Sequence, residues 1–511
     1  MSFFSFEFLL FVAAALLLYY LLPKKIQWIV LLAVSLGFYL FGGWRSLLYL
    51  LFTAAVTYAA GLLLERLNLR AKEDKTRRVT GKKRLVLTAC LLLNFGLLFA
   101  VKYWNYSALT FGKMGLNLPA SSLIVPLGLS FYMFQSVGYT VDCYRGKYPA
   151  QKNPLKYLLF VSFFPQMVQG PISRYNDLEP QLTAERRFSA DDLKYGIQLA
   201  IWGYVKKLII ADRAAVAVRA VFDNTEAYGG FFYAFAVLLY CIQLYCDFSG
   251  GIDVTRGVAK MFGIELAENF RRPIFAVSLA DYWRRWHITL GSWMRDYVFY
   301  PLAFSAPLGA LSRWTRKRFG GKLGKVIPTA CATFVVYLII GIWHGANFRY
   351  VFFGIYNGVI MTVSILLASA FSKWKKRLKI SDKQPAFHLF QMLRTMALVF
   401  VGRYITRAPR LMLAFAMLKK TLLHPCVYQI RRPVFEQLGL TVLDYGIVAA
   451  GVLVVLILEL RQEKGVQIRK SLERRNAFVQ WLFIFLPLAA LAAHLIFSGS
   501  AVDVNLIYQQ Y

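Results

Sequence analysis

SFEFLLFVAAALLLYYLL (Ser5–Leu22) and GIVAAGVLVVLILEL (Gly446–Leu460) carry almost no polar side chains. Runs approaching the ~20 residues that cross ~30 Å of hydrocarbon fix the solvent of a chain before they fix its fold. In lipid no water satisfies backbone N–H and C=O groups, so a spanning segment must be a helix or part of a closed barrel. Unbroken apolar runs, rather than alternating ones, select the helix. Such blocks recur along the 511 residues, of which 58% are hydrophobic, against about 45–50% in a soluble domain. The core of a soluble protein would not need so many. An all-α integral membrane protein is expected.

The first run does not read as a secretory leader. No basic stretch precedes it, and Pro23-Lys24-Lys25 rather than a small-residue cleavage site follows it. It is expected to stay as the first span.

The charge is lopsided, 60 Lys and Arg against 26 Asp and Glu, for a net +34. In a soluble protein that would suggest nucleic acid. Here the positive charge lies in short loops between apolar blocks, so the positive-inside rule accounts for it and no nucleic-acid partner is expected. Arg66–Arg84 holds nine basic residues against two acids, and Ser312–Lys325 holds six and none. Ser372–Lys383 holds six against one, and Arg461–Arg475 six against two. Each of these loops should be cytoplasmic.

With Met1 outside, five crossings alternate correctly: Ser5–Leu22, Gln27–Phe41, Leu47–Leu64, Leu85–Val101 and Leu123–Val141. The stretch Tyr103–Ser122 should then be an outer loop. In the middle of the chain, Leu193–Ile210 and Phe231–Phe248 read as spans. Pro165–Tyr175 and Ser278–Leu302 are too short or too polar to cross, and read as re-entrant or interfacial helices around an internal cavity. Later spans are expected at Val326–Trp343, Tyr350–Phe371, Leu389–Ile405, Tyr445–Leu460 and Phe478–Phe497. The last leaves from the inner Arg474-Arg475, which places the tail outside, as Met1 is. The sum is about 10–12 transmembrane helices in a multi-pass protein of the plasma or inner membrane.

No repeat or soluble domain interrupts the chain. It reads as one membrane domain: N-terminal helices over 1–145, a core over 155–371, C-terminal helices over 372–498, and an extracellular tail over 499–511.

Chemistry-bearing residues are few. Six cysteines form no CxxC pair, and five histidines form no HxxxH or HExxH, so no metal site is expected. No GxxxxGK[ST] is present, nor a GxGxxG opening a helix, which argues against an ATP-driven pump. His344 ends an apolar run in GIWHGANF (Gly341–Phe348), beside Trp343 and near Asn347. Glycines let other groups approach the backbone there, and a polar residue at membrane depth tends to face a functional cavity. The alternative is a histidine satisfied at a helix end. His287 closes SLADYWRRWH (Ser278–His287). As a helix, that stretch pairs Asp281 with Arg284 or Arg285 and puts Trp283 and Trp286 on one face. Two readings stay open: an interfacial helix with Trp at the headgroups and snorkelling Arg, or a cationic wall around an anionic cofactor. Around Gly250-Gly251, Asp247 and Asp253 mark either a capped helix end or a polar turn inside the bundle.

Three blocks make the sequence recognisable: SFFPQMVQGPISRY (Ser162–Tyr175), Tyr245–Leu302 and GIWHGANFRYVFFGIYNG (Gly341–Gly358). Their order and spacing resemble the membrane-bound O-acyltransferase (MBOAT) family, in particular its bacterial alginate O-acetylation branch. The resemblance implies an all-helical membrane fold around a central tunnel. A thioester donor, acetyl-CoA or an acyl-carrier protein, would enter from the cytoplasm, and no cofactor would stay bound. The family's near-invariant histidine maps onto His344, and a second, branch-specific histidine onto His287. His344 then acts as general base on the acceptor hydroxyl, with Asn347, Arg295 and Trp343 as candidate oxyanion or tunnel residues. Span counting puts His344 near the outer end of its helix, whereas the resemblance implies a deeper place in the tunnel. LIYQQY (Leu506–Tyr511) resembles an aromatic terminal motif in which Tyr508 would carry the acyl group to an extracellular or periplasmic acyltransferase partner. Gln509 departs from that motif, and VGRYITRAP (Val401–Pro409) keeps only Arg407-Ala408 of the branch's FFRA.

The expected activity is O-acetylation of an exported or cell-surface polysaccharide. D-alanyl transfer to teichoic acid is the nearest alternative. A transporter or a non-catalytic scaffold of a polysaccharide-modification complex would also fit intramembrane polar residues.

Overall fold

The computed structural model describes residues 3–497, apart from 74–76, 113, 117, 122, 124, 127, 168 and 383. Among the described residues the backbone is helical or irregular, with one isolated antiparallel bridge, Phe270 to Trp286, and no strand. The helices start and stop where local chemistry dictates. The Ser5 side chain accepts from Phe8 N–H to open Phe6–Leu21, and Pro23 follows its end. Asn153 caps Pro154–Ser162, with Pro154 at the first helical position. Thr441 and Asp444 form a reciprocal capping box at the head of Val442–Glu463.

Eight described helices are long and apolar enough to cross a bilayer. They lie at Trp44–Ala71, Val79–Gly112, Gly230–Met261, Leu323–His344, Phe348–Leu366, Pro385–Arg407, Val442–Glu463 and Ala477–His494. Phe6–Leu21 is apolar but has only 16 residues, and Gln27–Leu40 only 14. Two expected spans do not form as drawn. The helix expected over Leu123–Val141 begins only at Leu129, after Gly128 in a left-handed conformation (φ 73°), and runs on to Arg145. A side chain at 128 would also strike the Met167 carbonyl, so glycine is required twice over. The span expected over Leu193–Ile210 is Ala190–Tyr204 followed by a π-helical turn, Val205–Ala211, whose Lys206 and Lys207 are buried. Two lysines that need polar partners disqualify it as a lipid-facing span. The outer loop expected from Tyr103 is helical as far as Gly112, and the Tyr350–Phe371 span breaks at Leu367.

Residues within Met1–Gly203 and Gly251–Glu268 form one compact unit, and those within Tyr204–Gly250 and Asn269–Asp503 another. In the first, rings of Phe8, Phe11, Phe38 and Phe164 pack against one another. Nearby tyrosines are buried with their hydroxyls satisfied: Tyr157 donates to Thr57 Oγ1 at 2.7 Å, and Tyr139 accepts from Gln151 N–H at 2.9 Å. Pro165–Ser173 is irregular over most of its length and buried wherever it is described, as non-helical backbone in a membrane protein must be.

The second unit holds both histidines that the sequence singles out. Ala306–His344 is continuous by hydrogen bonding but reverses at Gly320 (φ 78°, ψ 171°), so its basic first part folds back before the apolar span. Thr315 Oγ1 donates to the Gly324 carbonyl at 2.8 Å across that turn. Leu323–His344 then packs backbone to backbone on Phe348–Leu366. A Cβ at Gly341 would sit 2.5 Å from the Tyr350 carbonyl and 2.8 Å from Gly354 Cα. Small residues permit this approach, and dispersion across it holds the two helices together in lipid. Gly341→Val should therefore lower stability by about 1–3 kcal/mol. Thermal unfolding of the detergent-solubilised protein measures it, and Ala at exposed Ile342 serves as the neutral control.

Candidate active site

His287 is placed by a short backbone clasp. Arg271 N–H donates to Arg285 O (2.8 Å) and Ile288 N–H to Asn269 O (3.0 Å), on either side of the Phe270–Trp286 bridge. The helix Leu279–Arg285, opened by the Ser278 cap, ends before Trp286, which is extended. This corrects the helical reading of the whole stretch: Trp283 and Trp286 do not share a helix. Trp286 is buried, stacks on Tyr282 with centroids 5.6 Å apart, and lies under the Arg403 guanidinium at 5.2 Å. Trp283 packs on Tyr337 and Phe353 instead. Asp281 does pair with both Arg284 (3.3 Å) and Arg285 (3.0 Å).

At His287 the backbone turns left-handed (φ 49°) and opens the next helix, Ile288–Met294, with Gly291 N–H donating to His287 O. A non-glycine residue in that region stores conformational energy, and such residues concentrate at functional sites. The imidazole is 2% exposed. The Phe248 ring meets it edge-on at 4.9 Å, Trp343 lies at 6.1 Å, and Nδ1 is 3.4 Å from Asn269 Oδ1.

His344 is the last residue of its helix and is half-buried. Its ring lies 5.0 Å from Trp343, 6.1 Å from Phe353 and 6.5 Å from Tyr350, centroid to centroid. The indole of Trp343 thus packs against both imidazoles, 6.1 Å from His287 and 5.0 Å from His344. Gly345 lets the Tyr350 ring close in, since a Cβ there would lie 2.7 Å from it. Asn347 caps the following helix, its Oδ1 accepting from Arg349 N–H at 3.0 Å. Arg349 donates to the Ala408 carbonyl (2.6 Å) and to the Tyr350 hydroxyl (2.9 Å). The Ala408 carbonyl therefore anchors the turn after His344, while Arg407 lies over the Phe222 ring.

Of the six residues expected in the site, the structure gathers His287, Trp343, His344 and Asn347. Arg295 is not among them: its side chain is 58% exposed and pairs with its neighbour Asp296 at 3.0 Å. Tyr508 lies outside the described residues. Sequence reasoning missed Asn269, Arg403 and Glu463. Glu463 accepts from both Arg272 (2.6 Å) and Arg285 (3.0 Å), joining the clasp to the end of Val442–Glu463. Nothing in their local sequence marks them, because their partners are remote along the chain.

The Gly250-Gly251 region is neither of the alternatives left open. The helix Gly230–Met261 runs straight through it. On that helix Asp247 pairs with Lys207 at 2.8 Å and Ser249 accepts from Lys206 at 2.9 Å, flanking the Phe248 that meets His287. Lys207 also reaches Asp212 at 2.6 Å.

This is a multi-pass helical membrane protein with two imidazoles packed against one indole. Residues 146–315 match the membrane-bound O-acyltransferase family. The chain is 31% identical, over 412 residues, to the "Probable alginate O-acetylase AlgI" of Pseudomonas aeruginosa, covering 80% of this chain and 72% of that one. It is 29% identical to the "Peptidoglycan O-acetyltransferase" of Helicobacter pylori over 67% of this chain and 64% of that one. The "Teichoic acid D-alanyltransferase" of Bacillus subtilis is 28% identical over 56% of this chain and 70% of that one. The chain belongs to the membrane-bound O-acyltransferase family, and it is a membrane acyltransferase.

Lys207 is shared by two carboxylates, so removing one leaves it the other. Asp247→Ala should destabilise the protein by about 1–3 kcal/mol, and Asp247→Ala with Asp212→Ala, which strands the buried lysine, by about 3–5 kcal/mol. Thermal unfolding of the single and double variants measures both.

Proposed function

We propose that the chain transfers an acetyl group from a cytoplasmic thioester, acetyl-CoA or an acyl-carrier protein, toward hydroxyls of an exported or cell-surface polysaccharide. The carrying observation is the His287–Trp343–His344 arrangement in a chain that is 31% identical, over 80% of its length, to a protein named a probable alginate O-acetylase. D-alanyl transfer is the second reading. It is less favoured because the similarity to the D-alanyltransferase spans only 56% of this chain.

In this reading His344 takes the proton of the acceptor hydroxyl. An imidazole has the near-neutral basicity that the step needs, and such a base contributes about 10²–10⁴-fold. The hydroxyl oxygen bonds to the thioester carbonyl carbon, the carbon–sulfur bond breaks, and the proton ends on the departing thiol. Asn347 keeps its Nδ2 as a candidate donor to the oxyanion, since its Oδ1 is used in capping. Arg295 is assigned no part. Trp343 keeps water from the pair, and bulk water would otherwise compete as an acyl acceptor.

The basic loops face the cytoplasm and both termini lie outside. The tail then hands the acyl group, through Tyr508, to an extracellular or periplasmic acyltransferase that reaches the polymer. Membranes carrying the full chain and supplied with acetyl-labelled acetyl-CoA test this. His344→Ala, inserted at the normal level, should lose at least about 10²-fold in transfer. Tyr508→Phe should block transfer to the polymer if the tail is the carrier. Full activity in His344→Ala would overturn the base assignment, and full activity in Tyr508→Phe would remove the carrier.

A further inference from the structure

Asn269 is fully buried, and its carboxamide orientation is decided by its neighbours. The Thr289 backbone N–H, which can only donate, lies 2.9 Å from one side-chain atom, so that atom is Oδ1. The Thr289 hydroxyl donates to the same oxygen at 2.8 Å. This oxygen is the atom 3.4 Å from His287 Nδ1. A carbonyl oxygen can only accept, so an imidazole nitrogen that pairs with it must carry a proton. In a neutral imidazole the proton therefore sits on Nδ1, and the lone pair is left at Nε2. Such bonds are often long in substrate-free sites and tighten in the reacting complex.

From this geometry we propose that Asn269 is a positioning residue for acyl transfer: it holds His287 as the Nδ1–H tautomer, so that Nε2 is the atom able to accept a proton. The proposal rests on reading His287 as part of the reaction site. Three features make Asn269 suited to it. Its backbone is locked to the residue after His287 through Ile288 N–H and Asn269 O. The Phe248 ring packs nearly perpendicular to the imidazole at 4.9 Å and restricts its rotation. Its carboxamide is neutral, where a carboxylate would favour the protonated imidazole and confine its accepting form to higher pH. Burial disfavours a positive charge on His287, and the proximity of His344 adds to that. The other charged groups nearby are already engaged: Asp247 with Lys207 on the Phe248 side, and Arg403 with Tyr282 and the Trp286 face.

The test uses the full chain in membranes, with acetyl-labelled acetyl-CoA as the probe. The kcat and KM of Asn269→Leu, Asn269→Asp, Thr289→Val and His287→Ala are measured across pH, with inserted protein quantified. His287→Ala should be inactive. Asn269→Leu should lower kcat about 10–100-fold at unchanged KM, the size of effect seen for outer partners that orient metal-bound imidazoles. Thr289→Val, which leaves the acceptor in place, should stay within about threefold. Asn269→Asp keeps the oxygen and adds charge, so it should retain more activity than Asn269→Leu and move the acid limb of the kcat profile upward by about one unit. A purely structural role would lower the amount of inserted protein and leave that limb where it is.

Wild-type kcat in Asn269→Leu alongside an inactive His287→Ala overturns the positioning role and leaves the site reading intact. Full activity in His287→Ala overturns the site reading and the proposal with it. Should Asn269→Leu fail to insert, Asn269→Asp decides: a shifted limb supports the proposal and an unmoved one overturns it.

Discussion

The site depends on a small piece of irregular backbone that pays its own hydrogen-bond cost. A chain that leaves the helix inside a membrane protein must find partners for every N–H and C=O it frees. Asn269–Arg272 and Arg285–Ile288 supply them to each other through the Phe270–Trp286 bridge and the two bonds beside it. That clasp lets the chain turn left-handed at His287 without exposing polar backbone to lipid. A continuous helix could not aim the ring this way, since its side chains point only along the helix face. The two short helices on either side of His287 follow from that requirement.

The second support is packing at the other histidine. Leu323–His344 and Phe348–Leu366 approach through Gly341 and Gly354, where no side chain fits between the backbones. The approach brings Tyr350 and Phe353 onto the His344 ring, and Arg349 ties the same turn to Ala408. Trp343 belongs to both settings, one residue from His344 in sequence and edge-on to His287 in space. The pairing of the imidazoles thus rests on glycines, whose contribution is the absence of a side chain.

Much of this was legible in the sequence. The apolar runs and the Lys/Arg loops announced a helical membrane protein, and the three motif blocks led to the family and to both histidines. The reading failed where polar pairing crosses long distances. Lys206 and Lys207 sit in what looked like a span, and besides the nearby Asp212 their partners are Asp247 and Ser249, about forty residues on. Trp286 looked helical because nothing local reveals that Phe270 draws its backbone into a bridge. Arg295 looked like a site residue because it shares a block with His287, yet its side chain is largely exposed and pairs with Asp296. Asn269 had no distinguishing context at all, being one asparagine in ENFRRP.

The ties from the clasp to the distal helices bear on the order in which the protein is made. Arg285 finds Glu463 across 178 residues, and Tyr282 finds Arg403 across 121. Synthesis at about 5–20 residues per second leaves roughly 10–40 s between the arginine and its carboxylate. Throughout that interval Arg285 has Asp281 within its own helix, whereas Arg272 must remain hydrated or be shielded by a chaperoning surface until Glu463 arrives. The active geometry is consequently among the last parts of the molecule to set, and an incomplete nascent chain would carry the histidine without the fastening that aims it.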